Sequence, residues 1–217
     1  VLVLFSFSQL GYEQLNGSYS IPGTPFSTIK TAIDSLNLVG VGSGGVTFNV
    51  AAGHTETTTS DIILTATGGS TDQIVFQKSG VGANPVITRT DAGILNTGVL
   101  GGQGDAVIIV EGSDYVTFDG IDVTASDEGI EYGYYLRKGS DVNGCKFVTI
   151  KNATVTLNKG TSAYVAGIYS SNNDSTSLIS SATGITVTSV DGRNENVTLT
   201  GNTISNVFAG IVLRGFN

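Results

Sequence analysis

Three segments of this chain share one pattern: Tyr115-Val-Thr-Phe-Asp-Gly-Ile-Asp-Val-Thr124, Phe147-Val-Thr-Ile-Lys-Asn-Ala-Thr-Val-Thr156 and Asn196-Val-Thr-Leu-Thr-Gly-Asn-Thr-Ile-Ser205. Aligned on Val116, Val148 and Val197, they place Phe118, Ile150 and Leu199 together, and then Val123, Val155 and Ile204. The alternation of apolar residues with Thr, Asp or Lys is the period-two pattern of a strand with one buried face. A break at Gly120, Asn152 or Gly201 separates two short strands in each segment. Gly and Asn tolerate a left-handed backbone best, so one such residue turns the chain sharply while both strands keep their apolar sides toward one core. Val116, Phe118, Val123, Val148, Ile150, Val155, Val197, Leu199 and Ile204 are the expected buried rows.

A third strand follows in each unit: Gly133-Tyr-Tyr-Leu-Arg137, Gly167-Ile-Tyr-Ser-Ser171 and Gly210-Ile-Val-Leu-Arg214. Strand, tight bend, strand, loop, strand, loop is one coil of a solenoid. A single coil cannot bury its inner face, so coils stack through parallel strands. The runs 46–50, 62–65, 74–77, 86–88 and 107–110 read as irregular first coils. With 30 Gly, 3 Pro and no Met or Trp, the composition is that of strands and turns. One helix is expected. Thr24-Pro25-Phe26-Ser27 offers capping residues and an initiating Pro, and Phe26, Ile29, Ile33 and Leu36 recur at helical spacing until Asn37 and Gly40. Such a helix would close the open first coil.

Leu15-Asn-Gly-Ser-Tyr-Ser-Ile-Pro-Gly23, Phe26-Ser-Thr-Ile-Lys-Thr-Ala-Ile33 and Gly45-Val-Thr-Phe-Asn-Val-Ala-Ala-Gly53 resemble the amino-terminal region of large secreted surface proteins of the Bacteroidetes and neighbouring bacteria. These carry parallel β-helix repeats of the pectin-lyase-like type. The resemblance covers roughly residues 15 to 217. It implies an all-β fold, a right-handed parallel β-helix solenoid with a short N-terminal amphipathic capping helix, and a secreted, cell-surface location. It transfers no catalytic residue. The chain then divides into residues 1–14, an apolar signal-peptide remnant or strand, and a β-helix domain over 15–217 that reads as cut short at its C-terminal end.

A net charge of −8 argues against nucleic-acid binding, which needs clustered Lys and Arg. The apolar start is too short for membrane insertion. Cys145 is the only cysteine, so an intrachain disulfide is excluded, and it reads as a small buried residue. The lone His54 reads as a polar turn residue.

Acids gather at Asp114, Asp119, Asp122, Asp127, Glu128 and Glu131. Hard cations prefer several oxygens, which makes Asp127, Glu128 and Glu131 candidate calcium ligands; no other cofactor is called for. Hydrolases of this fold use paired carboxylates, and no convincing pair on a strand is present. Alternation along the third strand puts Tyr134, Ile168 and Ile211 inward. Tyr135, Tyr169 and Val212 then face outward, beside Arg137, Ser171 and Arg214. Tyrosines beside arginines suit a sugar ligand, with the ring on the apolar sugar face and Arg on hydroxyls or carboxylates. Tyr135, Tyr169, Arg137 and Arg214 are therefore the candidate glycan face. The expected function is a non-catalytic extracellular module for adhesion or glycan contact, with a polysaccharide or cell-surface glycan as partner. Two alternatives stand beside it. One is a polysaccharide lyase or glycoside hydrolase using Arg137 or Arg214 and the acidic loop 127–131. The other is a structural subunit that assembles end to end into filaments.

Overall fold

Parallel pairing between coils dictates the architecture seen in the computed structural model, which describes residues 13–94, 104–160, 164–176 and 184–215. Strand β1 (Leu15–Ile21) leads to helix α1 (Ile29–Val39). The first full coil is β2 (Val41–Ala51), β3 (Thr55–Thr58) and β4 (Ile62–Leu64), and the second is β5 (Ile74–Ser79), β6 (Val86–Arg89) and β7 (Ala106–Glu111). The third is β8 (Val116–Asp119), β9 (Asp122–Ala125) and β10 (Tyr132–Arg137), and the fourth is β11 (Thr149–Lys151), β12 (Thr154–Thr156) and β13 (Ala166–Ser170). The last is β14 (Thr198–Thr200), β15 (Thr203–Ser205) and β16 (Ala209–Leu213). Corresponding strands form three all-parallel sheets: β1-β2-β5-β8-β11-β14 (sheet A), β3-β6-β9-β12-β15 (sheet B) and β4-β7-β10-β13-β16 (sheet C). This is a parallel β-helix. The apolar segment 1–12 lies outside the described residues.

The expected register holds. Ile150 pairs with Phe118 and Leu199, and Val155 with Val123 and Ile204. Val116, Phe118, Val123, Val148, Ile150 and Val155 are fully buried. Val197, Leu199 and Ile204 are only half-buried, because the coil they belong to has a neighbour on one side only among the described residues. Asn152 has φ 56°, Gly120 66° and Gly201 64°, so all three bends use the left-handed region.

Inside sheet A, equivalent positions stack like on like. Phe48 and Phe76 have ring centroids 4.6 Å apart, and Phe76 and Phe118 5.2 Å. Against the apolar row of sheet B, sheet C supplies Gly133 and Gly167. A Cβ on Gly133 would lie 2.7 Å from the Gly167 carbonyl oxygen and drive into the Val155 side chain. The missing side chains let Val155 of sheet B rest directly on the sheet C backbone.

Helix α1 closes the first coil, but it starts later than the Thr24-Pro25 signal suggests. Thr28 is the N-cap, its hydroxyl accepting the Thr31 N–H, and Pro25 and Phe26 lie before the helix. Ile29, Ala32, Ile33 and Leu36 are buried. Two polar anchors fix it to the first coil. Glu56, on an inward position of β3 and 5% exposed, accepts the N–H groups of Ile29 at 2.7 Å and Lys30 at 2.9 Å. A buried carboxylate on a helix N-terminus satisfies orphan donors and opposes the helix dipole. Near the other end, the Asn37 amide donates to the Ile63 carbonyl and accepts from the Thr65 N–H.

Two outcomes follow. Gly133→Val forces overpacking and should lower unfolding free energy by about 1–3 kcal/mol or more in a denaturant titration, whereas Thr149→Val on the outer face should change it little. Burial raises the Glu56 carboxyl above its ordinary value of 4.5, despite the two N–H donors. Protonation is therefore favoured by folding. The resulting stabilisation is complete below 4.5 and lost as pH rises through the folded value. Relative to Glu56→Gln, the wild type should gain stability as pH falls from neutrality toward 4.5, read from paired melts across that range.

Candidate functional site

The tyrosines expected to form an open platform are not open. Tyr135 and Tyr169 do sit on adjacent coils in register and point away from the solenoid interior. Yet Tyr135 is 1% exposed and Tyr169 0%. With Ala106, Ile109, Tyr132 and Ala166 they form a second apolar cluster on the outer face of sheet C. The Tyr132 and Tyr169 rings stack at 4.5 Å. The Tyr135 hydroxyl hydrogen-bonds the Ser171 hydroxyl at 3.1 Å, and the Tyr169 hydroxyl is buried with Ser171 and Arg214 as polar neighbours. Alternation identified the side of the strand correctly, but strands β7, β10 and β13 of sheet C are buried on both faces, as an apolar run such as Ala106–Val110 requires. Arg137 is engaged as well: its Nε donates to Glu111 on the neighbouring coil at 2.9 Å. Arg214, just past β16, is half-buried.

The proposed calcium ligands do not converge. No group of three or more His, Cys, Asp or Glu side chains suited to a metal gathers among the described residues. Asp127 accepts the Gly129 N–H at 2.8 Å, making a local turn, and Glu131, fully buried, accepts the Asp105 N–H at 2.8 Å. The other acids do similar work at the corners. Asp114 accepts the Lys146 N–H at 2.7 Å, Asp122 the Thr154 N–H at 2.6 Å, and Asp119 the Asn152 side-chain amide at 2.7 Å. Asp114, Asp122 and Glu131 satisfy backbone donors that the parallel ladder leaves open at bends, while Asp119 holds the Asn152 side chain. Arg89 is 3% exposed and joins Asp61, Asp91 and Asp105 in one such network. Burial alone would lower its pKa; the hydrogen bond to Asp91 and the three carboxylate charges outweigh that and hold it above its ordinary value. Cys145 is buried, its thiol donating to the Val110 and Arg137 carbonyls, and burial pushes it up to about 12. His54 lies in the turn after β2.

The accessible aromatics are elsewhere. Tyr115 stands one residue before β8 and Phe147 two residues before β11, at the corner where sheet C passes into sheet A. Their rings stack with centroids 4.5 Å apart and planes 11° from parallel. Phe147 is 42% exposed. Both residues, and Asn196 on the next coil, occupy the left-handed region with φ of 54°, 57° and 55°. The conformation is fixed from both sides. The Tyr115 N–H donates to the Lys146 carbonyl and its own carbonyl accepts the Ile74 N–H, while the Phe147 N–H donates to the Glu195 carbonyl. For an aromatic residue this backbone costs about 1–2 kcal/mol. Asn or Gly would occupy it more cheaply, as Asn196 does.

This pair walls a shallow recess of about 230 Å³ completed by Gln73, Thr117, Thr149, Asn196 and Thr198. The three threonines are in register on successive coils, so their side chains form a row on the outer face of sheet A. A second polar row runs beside it, in which Gln77 donates to Asn49 at 2.9 Å and Asn49 to Ser18 at 2.7 Å. The signal was present in the repeat itself: Tyr115, Phe147 and Asn196 head the three aligned segments. A second, larger recess of about 1090 Å³ opens on the other side of Asn196, lined among others by Lys138, Ser170, Asn172, Arg193, Asn194 and Arg214.

In comparison with known proteins, no family model, no curated protein and no solved structure matches this chain.

Replacing Phe147 with Asn should leave stability within about 1 kcal/mol of wild type in a denaturant titration. Relief of the left-handed aromatic, about 1–2 kcal/mol, offsets the lost ring pair, about 0.5–1.5 kcal/mol.

Proposed function

We propose that this chain is a non-catalytic, extracellular β-helix module that holds a glycan along the outer face of sheet A. The single observation that carries the reading is the stacked, solvent-accessible Tyr115–Phe147 pair, kept in an unfavourable backbone conformation beside a row of hydroxyl and amide side chains. An aromatic wall takes the C–H face of a sugar, and hydroxyls and amides exchange hydrogen bonds with its ring substituents. Coils repeat at about 4.8 Å, so a saccharide chain lying parallel to the solenoid axis meets equivalent groups on each coil. The extracellular setting rests on the resemblance of residues 15–53 to secreted surface proteins. No described helix is long and apolar enough to cross a membrane.

Binding is favoured over hydrolysis or elimination because Asp114, Asp122 and Glu131 each accept a backbone N–H at a corner. Each coil contributes weakly, so affinity should rise with oligosaccharide length and be slight for monosaccharides. Calorimetry with a neutral oligosaccharide series should show binding by the wild type and its loss in Phe147→Asn, a variant expected to fold normally. Equal binding by the two proteins would remove this face as the site. New reducing or unsaturated ends in the ligand would overturn the non-catalytic reading.

A further inference from the structure

The larger recess has an unusual floor. Lys138 is 1% exposed, yet among the described residues its ammonium has a single hydrogen bond, to the Asn194 side-chain carbonyl at 3.0 Å, and no carboxylate partner within salt-bridge distance. A lysine ammonium carries three donors, and burying one unpaired is expensive. By contrast, Lys30, Arg89, Arg137, Lys146 and Lys151 each pair with an acid. Two further cationic side chains, Arg193 and Arg214, line the same recess, against one acid, Glu195. Three of the chain's ten Lys and Arg residues thus meet in one concavity of a protein with net charge −8.

The recess also offers neutral donors. The Asn194 amide nitrogen donates to the Ser170 hydroxyl oxygen at 2.9 Å, and the Ser170 hydroxyl, which lines the recess, keeps its own proton to donate. The Asn194 carbonyl is held by the Cys145 N–H at 2.8 Å as well as by Lys138, so the residue is fixed in place.

We infer that this recess is an oxyanion-binding site, taking a sulfate-ester or carboxylate group between Arg193, Arg214 and Ser170 over the Lys138 ammonium. The bound anion supplies the counter-charge that Lys138 lacks. Asn196 lines both this recess and the aromatic one, so a saccharide lying along sheet A could reach this recess with a charged substituent past Asn196. The site nonetheless stands on its own residues and does not depend on the glycan reading. The acidic surface as a whole repels polyanions, while this corner attracts them.

Burial lowers the Lys138 ammonium to about 8, against a partly opposing effect of Cys145. The Cys145 thiol is neutral in this range, and the charged groups on the walls are Arg193, Arg214 and Glu195. An anion binds the protonated lysine better, so affinity should fall as pH rises through about 8.

Inorganic sulfate is the probe for the site itself, followed through the backbone amide resonances of Arg193, Asn194 and Asn196 in the whole chain. Wild type should show saturable shifts on these amides. Arg193→Ala, at an exposed position, should weaken sulfate roughly tenfold, a loss of one charge-assisted contact, and Lys138→Gln should abolish the pH dependence near 8. Absence of shifts in the wild type, or unchanged binding in Arg193→Ala, would overturn the assignment. Sulfated and uronic oligosaccharides of equal length then distinguish the two anion sources by which one Arg193→Ala weakens. Failure of sulfate to bind leaves the Phe147 test untouched, and failure of neutral glycans to bind leaves the sulfate result intact.

Discussion

Every coil of this molecule must lie in register with the one beneath it, and that constraint governs the rest. Parallel strands stand about 4.8 Å apart, so a side chain in one coil rests on its equivalent in the next. A row works only if its members tolerate their own kind as neighbours. Flat rings do: Phe48, Phe76 and Phe118 stack with centroids at 4.6 and 5.2 Å. Bulk in one row requires its absence in another. The Val123, Val155 and Ile204 row of sheet B leaves room in sheet C only for hydrogen at Gly133 and Gly167.

The same stacking leaves donors unpaired wherever the chain turns, and here the acids and asparagines act. Asp61 accepts from Ala106, Asp114 from Lys146, Asp122 from Thr154 and Asn202 from Ala153, each reaching from one coil to the next. A buried donor left unsatisfied costs about 1–3 kcal/mol, so these bonds are as much a part of the fold as the apolar rows. Carboxylates at these corners bridge one coil to the next. Their clustering in sequence between residues 114 and 131 reflects the number of corners crossed there.

The repeat made the coil, its bends and its inner rows legible, since each is carried by a local alternation or by a Gly or Asn. Strand β3 was not legible. Thr55-Glu-Thr-Thr58 has no apolar residue, because its inward Glu56 meets the start of a helix instead of another apolar side chain. Tyr135 and Tyr169 were legible as to side but not as to exposure, since alternation reports which way a residue points and says nothing of what lies over it. Tyr115 and Phe147 were in plain view at the head of the repeat. Their meaning required backbone angles, which no residue pattern discloses for an aromatic. The Lys138 recess joins residues 138, 170, 193 and 214 from three coils and a loop, a proximity that sequence spacing does not encode.

The corner between sheets C and A shows how such a frame is freed to vary. Each of the last three coils needs a left-handed residue there, filled by Tyr115, Phe147 and Asn196. Backbone hydrogen bonds from the neighbouring coils impose the conformation whatever the side chain. The identity of that side chain is therefore released from the task of folding, within a penalty of about 1–2 kcal/mol. A ring placed at this position stacks on the next ring because the coils are in register, and that contact, about 0.5–1.5 kcal/mol, offsets much of the penalty. The corner can thus carry aromatics on two coils and an amide on the third without disturbing the rows inside. In a solenoid, surface chemistry of this kind is set coil by coil, and it extends in a line because the strands do.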